Sequence, residues 1–229
     1  MPLSQQERDL LQYFSKYLTD HRKAYAEKVL AQRTRQVTVV LEDIYQSQNA
    51  SAVVRTCECM GLQDIHIIEN TTQYEINRYV MKGSNKWVNL IRYNDRTRNN
   101  TAACFERLRK AGYVIYATSP ETSSISIHDL NPSENKMALV FGNELEGLSD
   151  YAIQQADYRI HVPMYGFTES LNISATVAAS LAVLIPKLKS AAGDFHLSEE
   201  EKEVLRLVWY RKMVRRSAIM EKQFLKMNA

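Results

Sequence analysis

The sequence predicts an α/β protein with a mainly parallel sheet and helices on both of its faces. Through the middle of the chain, short runs rich in β-branched residues alternate with segments of helical character. Such alternation is typical of parallel sheets, because each parallel connection crosses the sheet through a helix. Five of the seven glycines stand at junctions between these segments, beside polar residues, where turns or close ligand contacts are expected.

The strands and helices of the central region follow in order. The predicted strands span residues 37–44, 65–69, 87–93, 113–118, 137–141 and 159–162. The predicted helices span residues 49–60, 75–81, 101–111, 150–156 and 170–189. The last of these is rich in alanine and serine, which indicates that another backbone approaches it closely. Pro186 predicts that this helix ends or kinks near Ile185.

Both flanks of the central region are predicted to be helical. Ser4 with Glu7, and Ser198 with Glu201, have the spacing of a capping box, which marks the start of a helix. The N-terminal flank is expected to break near Thr19 into two helices. The predicted domains are therefore an N-terminal extension (1–36), a central domain (37–192) and a C-terminal extension (193–229).

Charge is distributed unevenly between these three parts. Residues 1–36 hold seven Lys and Arg against four Asp and Glu, and residues 196–229 hold eight against five. Each flank thus carries +3, and since the whole chain is +3, the middle carries −3. Basic flanks suggest contact with a polyanion. Two helices with solvated basic faces would give the same charge pattern.

Composition excludes several classes of protein. The chain has 229 residues, 45% hydrophobic and 24% charged, which is ordinary for a soluble globular protein. No apolar stretch of about 18 residues and no signal-peptide pattern occurs, so we expect a cytoplasmic protein without a membrane segment. The three cysteines do not form C-x-x-C, and the five histidines show no i,i+4 pair. We therefore expect no disulfide framework and no metal.

Three polar segments stand out as candidates for chemistry. The first, residues 49–61, places Asn49 at a predicted helix start and Arg55 on an otherwise apolar helix. The second, residues 139–149, is a hydrophobic strand that ends in a Gly-x-Glu turn at Gly142 and Glu144. The third, residues 161–174, is a strand ended by Pro163 and followed by a polar loop. Taken singly, the first two segments have plain structural explanations. Arg55 could form a surface ion pair, and the acidic residues of the turn could simply be solvated.

Together these segments resemble the SpoU (TrmH) family of RNA 2′-O-methyltransferases, within the SPOUT superfamily. The pattern N-x-S-x-x-x-R-T-C-x-x-x-G is complete at residues 49–61, and residues 82–87 resemble the family's G-S-x-x-W stretch. Residues 141–147 match its second motif and residues 162–172 its third. The resemblance covers roughly residues 33–190. It implies a C-terminal deep trefoil knot, a homodimer and S-adenosyl-L-methionine as cofactor.

The resemblance also implies roles for individual residues. The cofactor would lie against Thr118, Gly142, Val162 and Leu171. The catalytic residues would be Arg55, Asn49, Glu144, Ser170 and Asn172. Because the methyl donor is already activated, no metal is needed, and catalysis consists of positioning and removal of a proton. Arginine is a poor base, so either an RNA phosphate helps to take the proton or Arg55 chiefly aligns the substrate.

The choice of RNA depends on the flanks. The resemblance is strongest to the subgroup that methylates the D-loop guanosine, position eighteen, of tRNA, where basic residues before the first strand bind the RNA. Arg22, Lys23 and Arg33 stand at such places. That subgroup has arginines at the end of the last knot helix, where this chain has Pro186 and Leu188. Four basic residues further on are candidates to replace them: Arg211, Lys212, Arg215 and Arg216. The alternative is a packing helix with a solvated basic face.

Three other functions were weighed against tRNA methylation. Methylation of rRNA is the nearest alternative. A non-catalytic RNA-binding relative would also fit the family, although Asn49, Arg55, Glu144 and Asn172 are all present. A dinucleotide-binding enzyme would explain the strand and helix alternation, but no G-x-G-x-x-G follows the first strand.

Overall fold

The computed structural model describes residues 2–121, 123–191 and 193–227. The chain divides into two compact units. One unit is formed by both ends of the chain, Met1–Arg33 and His196–Ala229, and the other is the central Thr34–Phe195. The two basic flanks, which the sequence presented as separate extensions, thus fold together. The predicted domain boundaries remain predictions.

The central unit is built on a seven-stranded sheet in which every pair of neighbouring strands is parallel. The strands are β1 (Val37–Glu42), β2 (Asp64–Ile68), β3 (Asn89–Tyr93), β4 (Tyr113–Thr118), β5 (Ile125–Ser126), β6 (Lys136–Phe141) and β7 (Tyr158–His161). Their order in the sheet is β3-β2-β1-β6-β4-β7-β5. The parallel sheet agrees with the prediction. The two-residue β5 was missed because so short a strand leaves no periodic pattern.

Nine α-helices occur in the described residues. They are α1 (Gln5–Ser15), α2 (Asp20–Leu30), α3 (Ser47–Cys59), α4 (Arg78–Met81), α5 (Asn100–Lys110), α6 (Asp150–Gln155), α7 (Ile173–Ser190), α8 (Glu199–Met213) and α9 (Ser217–Met227). The break at Thr19 is confirmed, since its hydroxyl caps α2 by accepting the N–H of Arg22. Both predicted capping boxes are also present, at the starts of α1 and α8.

The sheet separates two apolar cores, one on each face. On one face the strands pack with α3 and α7 through Val53, Cys57, Val177 and Leu181. On the other face they pack with α5 and α6. Every residue of the central strand β1 is buried, because it is covered on both sides. This explains why β1 is a continuous hydrophobic run apart from Thr38 and the final glutamate.

Helix α7 does not end near Ile185, which was one of the two outcomes expected from Pro186, and a kink there stays a prediction. The helix continues through Pro186 to Ser190. A proline removes the hydrogen bond to the carbonyl four residues earlier, which here belongs to Ala182. Because Ala182 is exposed, water can satisfy that carbonyl. By length and composition α7 is also the one described helix that could cross a membrane, but Leu184 and Leu188 are buried in the core.

In the unit formed by the chain ends, α8 packs against α1 and α2, and α9 packs against α1 and α8. The interior holds Leu10, Phe14, Leu30 and Trp209, all of them buried. Its apolar core and capped helices show that the flanks are folded and are more than charged tails.

Candidate active site

The three polar segments meet at one edge of the sheet. Because β1, β6 and β7 are parallel, the loops that follow them leave from the same edge. There they surround a cavity of about 690 Å³. It is lined by every predicted catalytic and cofactor-binding residue except Arg55: Asn49, Thr118, Gly142, Glu144, Val162, Ser170, Leu171 and Asn172.

Asn49 links the three segments through its side-chain amide. Its Nδ2 donates to Glu144 Oε1 at 2.6 Å, and its Oδ1 accepts from Asn172 Nδ2 at 3.1 Å. The helix start predicted at Asn49 is wrong, since Gln46 is the N-cap of α3 and makes no side-chain cap. Asn49 lies in the first turn instead, where its amide is free to bridge a carboxylate and a second amide. The Asn172–Asn49–Glu144 chain is the centre of the site.

Both ends of this hydrogen-bonded chain are held by the backbone. The Oδ1 of Asn172 accepts the N–H of Ser174 at 2.9 Å, so the residue is also the N-cap of α7. The Oε2 of Glu144 accepts the N–H of Tyr45 at 3.2 Å. The side chains of Asn172 and Glu144 therefore have their orientations fixed before any ligand arrives.

The loop after β6 is closed tightly on itself. Asn143 and Gly147 exchange backbone hydrogen bonds of 2.8 and 2.9 Å. A Cβ added at Gly142 would lie 2.2 Å from the backbone carbon of Gly147, so only glycine fits there. The side chain of Asn143 donates from Nδ2 to the carbonyl oxygen of Asp43 at 3.0 Å. The loop that carries Glu144 is thus attached to the end of β1.

Two acidic residues at the end of β1 support the site and were missed from the sequence. Glu42 is 2% exposed, and its carboxylate accepts hydrogen bonds from the hydroxyls of Thr101 and Ser149 and from the N–H of Ser149. The only sequence signal was a carboxylate ending a strand that is otherwise apolar.

Asp43 adopts a left-handed backbone conformation with φ of 51°. Such a conformation is unfavourable for a residue with a side chain. Its Oδ1 accepts the N–H groups of Asn70, Thr71 and Thr72, at 2.8, 2.8 and 3.1 Å, which offsets that cost. Asp43 thereby fixes the loop after β2 with its side chain and the loop after β6 with its carbonyl.

Arg55 lies apart from the cavity within this chain. It is exposed on α3, and its Nη1 donates to the carbonyl oxygen of Val80 in α4 at 3.5 Å. On the same side of α3, Ser51 Oγ accepts the N–H of Asn77. The structure therefore brings together four of the five predicted catalytic residues and leaves Arg55 outside.

The predicted RNA-binding residues differ in exposure and in the ion pairs that they form. Arg22, Lys212, Arg215 and Arg216 are exposed. Lys23 forms an ion pair with Asp20 at 2.7 Å, and Arg211 forms one with Glu221 at 2.7 Å. The protein atoms around the Lys212 ammonium group displace part of its solvent, and this desolvation lowers its pKa from its usual value. These residues remain candidates for RNA contacts.

Arg33 does not lie on the surface, where an RNA-binding residue was expected. Its side chain is 0% exposed, and its guanidinium lies 5.4 Å from the centre of the Trp209 ring. Its carbonyl accepts the N–H of Leu197. A residue in this position packs the interior of the terminal unit and does not reach a phosphate. The sequence could not reveal this, because a basic residue near a helix end is usually exposed.

Within the described ranges, no group of three or more His, Cys, Asp or Glu residues is arranged to hold a metal ion. The expectation that no metal takes part remains a prediction.

Comparisons with known proteins show the family to which the chain belongs. Residues 36–182 match the sequence model of the SpoU rRNA Methylase family. The chain is 45% identical over 207 residues to a Borreliella burgdorferi protein named tRNA (guanosine(18)-2′-O)-methyltransferase, covering 90% of this chain and 92% of that protein.

Solved structures show the same fold. A crystal structure of an A. aeolicus TrmH/SpoU tRNA modifying enzyme aligns with a TM-score of 0.74 at 27% identity, covering 86% of this chain and 98% of the other. The SpoU methyltransferase AviRb from Streptomyces viridochromogenes, crystallised in complex with AdoMet, aligns with a TM-score of 0.56 at 20% identity, covering 72% and 62%. This chain belongs to the SpoU methylase family.

Proposed function

We propose that this protein transfers a methyl group from S-adenosyl-L-methionine to the ribose 2′-hydroxyl of guanosine 18 in tRNA. The observation that carries the proposal is the Asn172–Asn49–Glu144 hydrogen-bonded chain inside the cavity. The name of the Borreliella burgdorferi relative supports the choice of RNA and nucleotide, since the match covers nearly all of both proteins.

The cavity fits the cofactor in size and charge. Its volume of about 690 Å³ lies in the range of small-molecule sites. Its lining includes the carboxylates of Glu144, Glu146 and Glu169, which suit a ligand that carries a sulfonium and an ammonium group. Gly142 lies in the cavity wall, where the tight turn of the loop after β6 admits only glycine. We assign cofactor contacts to four of the lining residues: Thr118, Gly142, Val162 and Leu171.

When bound, the cofactor supplies a methyl group that its positively charged sulfur has already activated. The chain's own residues then have to orient the ribose hydroxyl and accept or relay its proton. The amides of Asn49 and Asn172 offer both donors and acceptors to a hydroxyl group. Glu144 holds Asn49 in place at 2.6 Å, and Ser170 completes the polar wall.

We further propose a homodimer in which the partner subunit's Arg55 completes each cavity. Arg55 lies outside the cavity of its own chain, so a second copy is the simplest source of the missing guanidinium. Helix α7 offers a surface for close pairing, because Ala175 and Ala182 are exposed and Ala178 and Ala179 are half-buried. Light scattering is expected to give about twice the chain mass of 26.4 kDa.

Subunit mixing tests the shared site directly. Arg55→Ala and Asn172→Ala subunits, each inactive alone, are mixed and allowed to exchange. If Arg55 acts across the interface, each heterodimer contains one intact site, and activity returns to roughly a quarter of the wild-type level for random pairing. If Arg55 acts within its own chain, no heterodimer has an intact site and activity stays absent.

We also infer that the segment joining β7 to α7 is threaded as a trefoil knot, as in the family that the chain resembles. The segment starts at β7, which β6 and β4 separate from β1 in the sheet, yet Asn172 at its end is bonded to Asn49, which follows β1. Chain tracing in an experimental electron-density map would test the threading.

Mapping of 2′-O-methyl groups in total RNA tests the function and the choice of substrate together. RNA from cells with and without the gene is compared at single-nucleotide resolution. The expected result is the loss of one methyl group at guanosine 18 of tRNA. We place the reaction in the cytoplasm. The family description names rRNA, so loss of an rRNA methyl group instead would assign the enzyme to that substrate.

A further inference from the structure

The loop between β7 and α7 holds two large aromatic residues in solvent. Tyr165 is 95% exposed and Phe167 is fully exposed. Met164 before them and Glu169 after them both line the cavity. The two rings therefore stand on a short stretch of chain that leaves the cavity wall and returns to it. Exposed aromatic side chains grouped in this way mark a contact with another molecule.

Charge restricts what that molecule presents at the cavity. The lining includes the carboxylates of Glu144, Glu146 and Glu169, and none of the described lining residues is a lysine or arginine. The cavity lining of one chain therefore offers a phosphate no cation of its own. The two rings are uncharged and suit a neutral group, and the flat face of a base is the neutral surface that every nucleotide offers.

A ribose hydroxyl that enters the cavity brings its own base to the cavity edge. Where that base leaves its stack, an aromatic side chain can replace the lost stacking. We propose that Tyr165 and Phe167 form a stacking surface for the purine base of the nucleotide whose ribose is methylated. This inference rests on the proposed function, and it assigns base binding to two residues that are not members of the Asn172–Asn49–Glu144 chain.

Binding to two RNAs tests the contact. The first is the tRNA transcript, and the second is the same transcript with an abasic nucleotide at the methylated position. Affinities are measured by filter binding with S-adenosylhomocysteine present, for the wild type and for the Tyr165→Ala/Phe167→Ala double variant. For intact tRNA the variant is expected to bind about five- to 150-fold more weakly, the range for loss of a stacked base. For the abasic tRNA the two proteins should bind alike.

Two further variants separate stacking from other roles. Phe167→Trp should keep the affinity for intact tRNA, whereas Phe167→Leu, which is apolar without an aromatic face, should lose it. Tyr151→Ala, at an exposed aromatic residue of α6 that does not line the cavity, is the control and should bind both RNAs like the wild type.

Three results would overturn the inference. One is equal affinity of the double variant and the wild type for intact tRNA. Another is an equal loss of affinity for both RNAs. The third is a fall of the double variant to the monomer mass in light scattering, which would show that a second copy of the chain covers these rings. A wild-type protein that methylates no RNA would instead contradict the proposed function.

Discussion

The carboxylate of Glu42 holds Ser149 twice, accepting its backbone N–H and its hydroxyl at 2.9 Å each. Glu42 ends the central strand β1, and Ser149 ends the loop that carries Glu144 and begins α6. A buried carboxylate of the sheet thus fixes the end of the loop that carries Glu144. That loop lies at the edge of the sheet, but its position depends on a residue of the core.

Glu42→Ala is therefore expected to weaken cofactor binding as well as the fold. The buried hydroxyl of Thr101 and the N–H of Ser149 would lose their acceptor, at a cost of about 1–3 kcal/mol in the free energy of unfolding. Urea unfolding and calorimetric titration with the cofactor measure the two effects. The matched control is Thr101→Val, which removes the bond from α5 to the same carboxylate and should lower stability without changing cofactor affinity.

Asn49→Asp should make stability depend on pH. The change sets a second carboxylate against Glu144 Oε1, where an amide now donates at 2.6 Å. Two such groups cannot both ionise readily, so the folded-state pKa of the pair is raised above the unfolded values of about 3.9 and 4.3. A raised pKa gives stability that is present at low pH and lost as the pH rises through it.

The stability deficit of Asn49→Asp relative to the wild type should accordingly be small near about pH 4 and grow as the pH rises toward about 8. Thermal melts at several pH values measure this trend. Asn49→Ala lacks the second carboxylate, so its deficit should be nearly constant over the range. A constant deficit in both variants would contradict the close contact between Asn49 and Glu144.

Gly142→Ala and Gly166→Ala form a matched pair on two loops of the cavity edge. At Gly142 the new methyl group would meet backbone at 2.2 Å, so the loop must shift, at a cost of at least about 1–3 kcal/mol in unfolding free energy. At Gly166 the nearest atom is the Thr168 nitrogen at 4.0 Å, and we expect a change below about 0.5 kcal/mol. Cofactor affinity should fall only in the first variant.

Arg55→Ala should reduce methyl transfer by roughly a hundredfold or more, by analogy with loss of a transition-state hydrogen-bond donor. Cofactor affinity should stay nearly the same, because Arg55 is assigned to the ribose hydroxyl and is not among the residues assigned to the cofactor. Single-turnover assays and calorimetry measure the two quantities. Arg55→Lys keeps the charge without the planar fork and should recover little activity. Wild-type turnover in Arg55→Ala would remove this residue from the mechanism.

The basic face of the terminal unit should contribute affinity through phosphate contacts. Neutralising the exposed pair Arg215 and Arg216 to glutamine should weaken tRNA binding and lower the slope of log affinity against log salt by about 0.7–0.9 for each phosphate contact. Filter binding at several salt concentrations checks this. Arg33→Gln is the contrasting variant, since a buried arginine should affect thermal stability and leave the salt slope unchanged. An unchanged slope for the exposed pair would mean that this face is only solvated.

Most of the sheet could be predicted from local pattern. Strand β4 was predicted with its observed bounds, because a β-branched and aromatic run there follows Gly112 directly. Strands β1 and β2 were predicted within two residues at each end. Periodicity and turn residues are local properties, so they can be read without knowing what packs where.

The family resemblance predicted most of the site residues, whereas reasoning from local residue patterns predicted only part of the site. The sequence could not show that Asn49 would serve as a bridge and not as a cap, because that depends on Glu144 and Asn172 arriving from distant parts of the chain. The supporting carboxylates at Glu42 and Asp43 were missed for the same reason. Arg33 was misplaced because burial is decided by the partner helix, here through Trp209, and not by the charge of the residue.

The terminal unit draws its helices from both ends of the chain, with Thr34–Phe195 between them. During synthesis, α1 and α2 therefore leave the ribosome before the helix that covers Leu10 and Phe14 has been made. At translation rates of about 5–20 residues per second, the intervening segment takes roughly 8–30 s to synthesise. For that time the first two helices expose apolar surface on a nascent chain, and they are natural ligands for a chaperone. The terminal unit is thus the last part of the protein that can be completed.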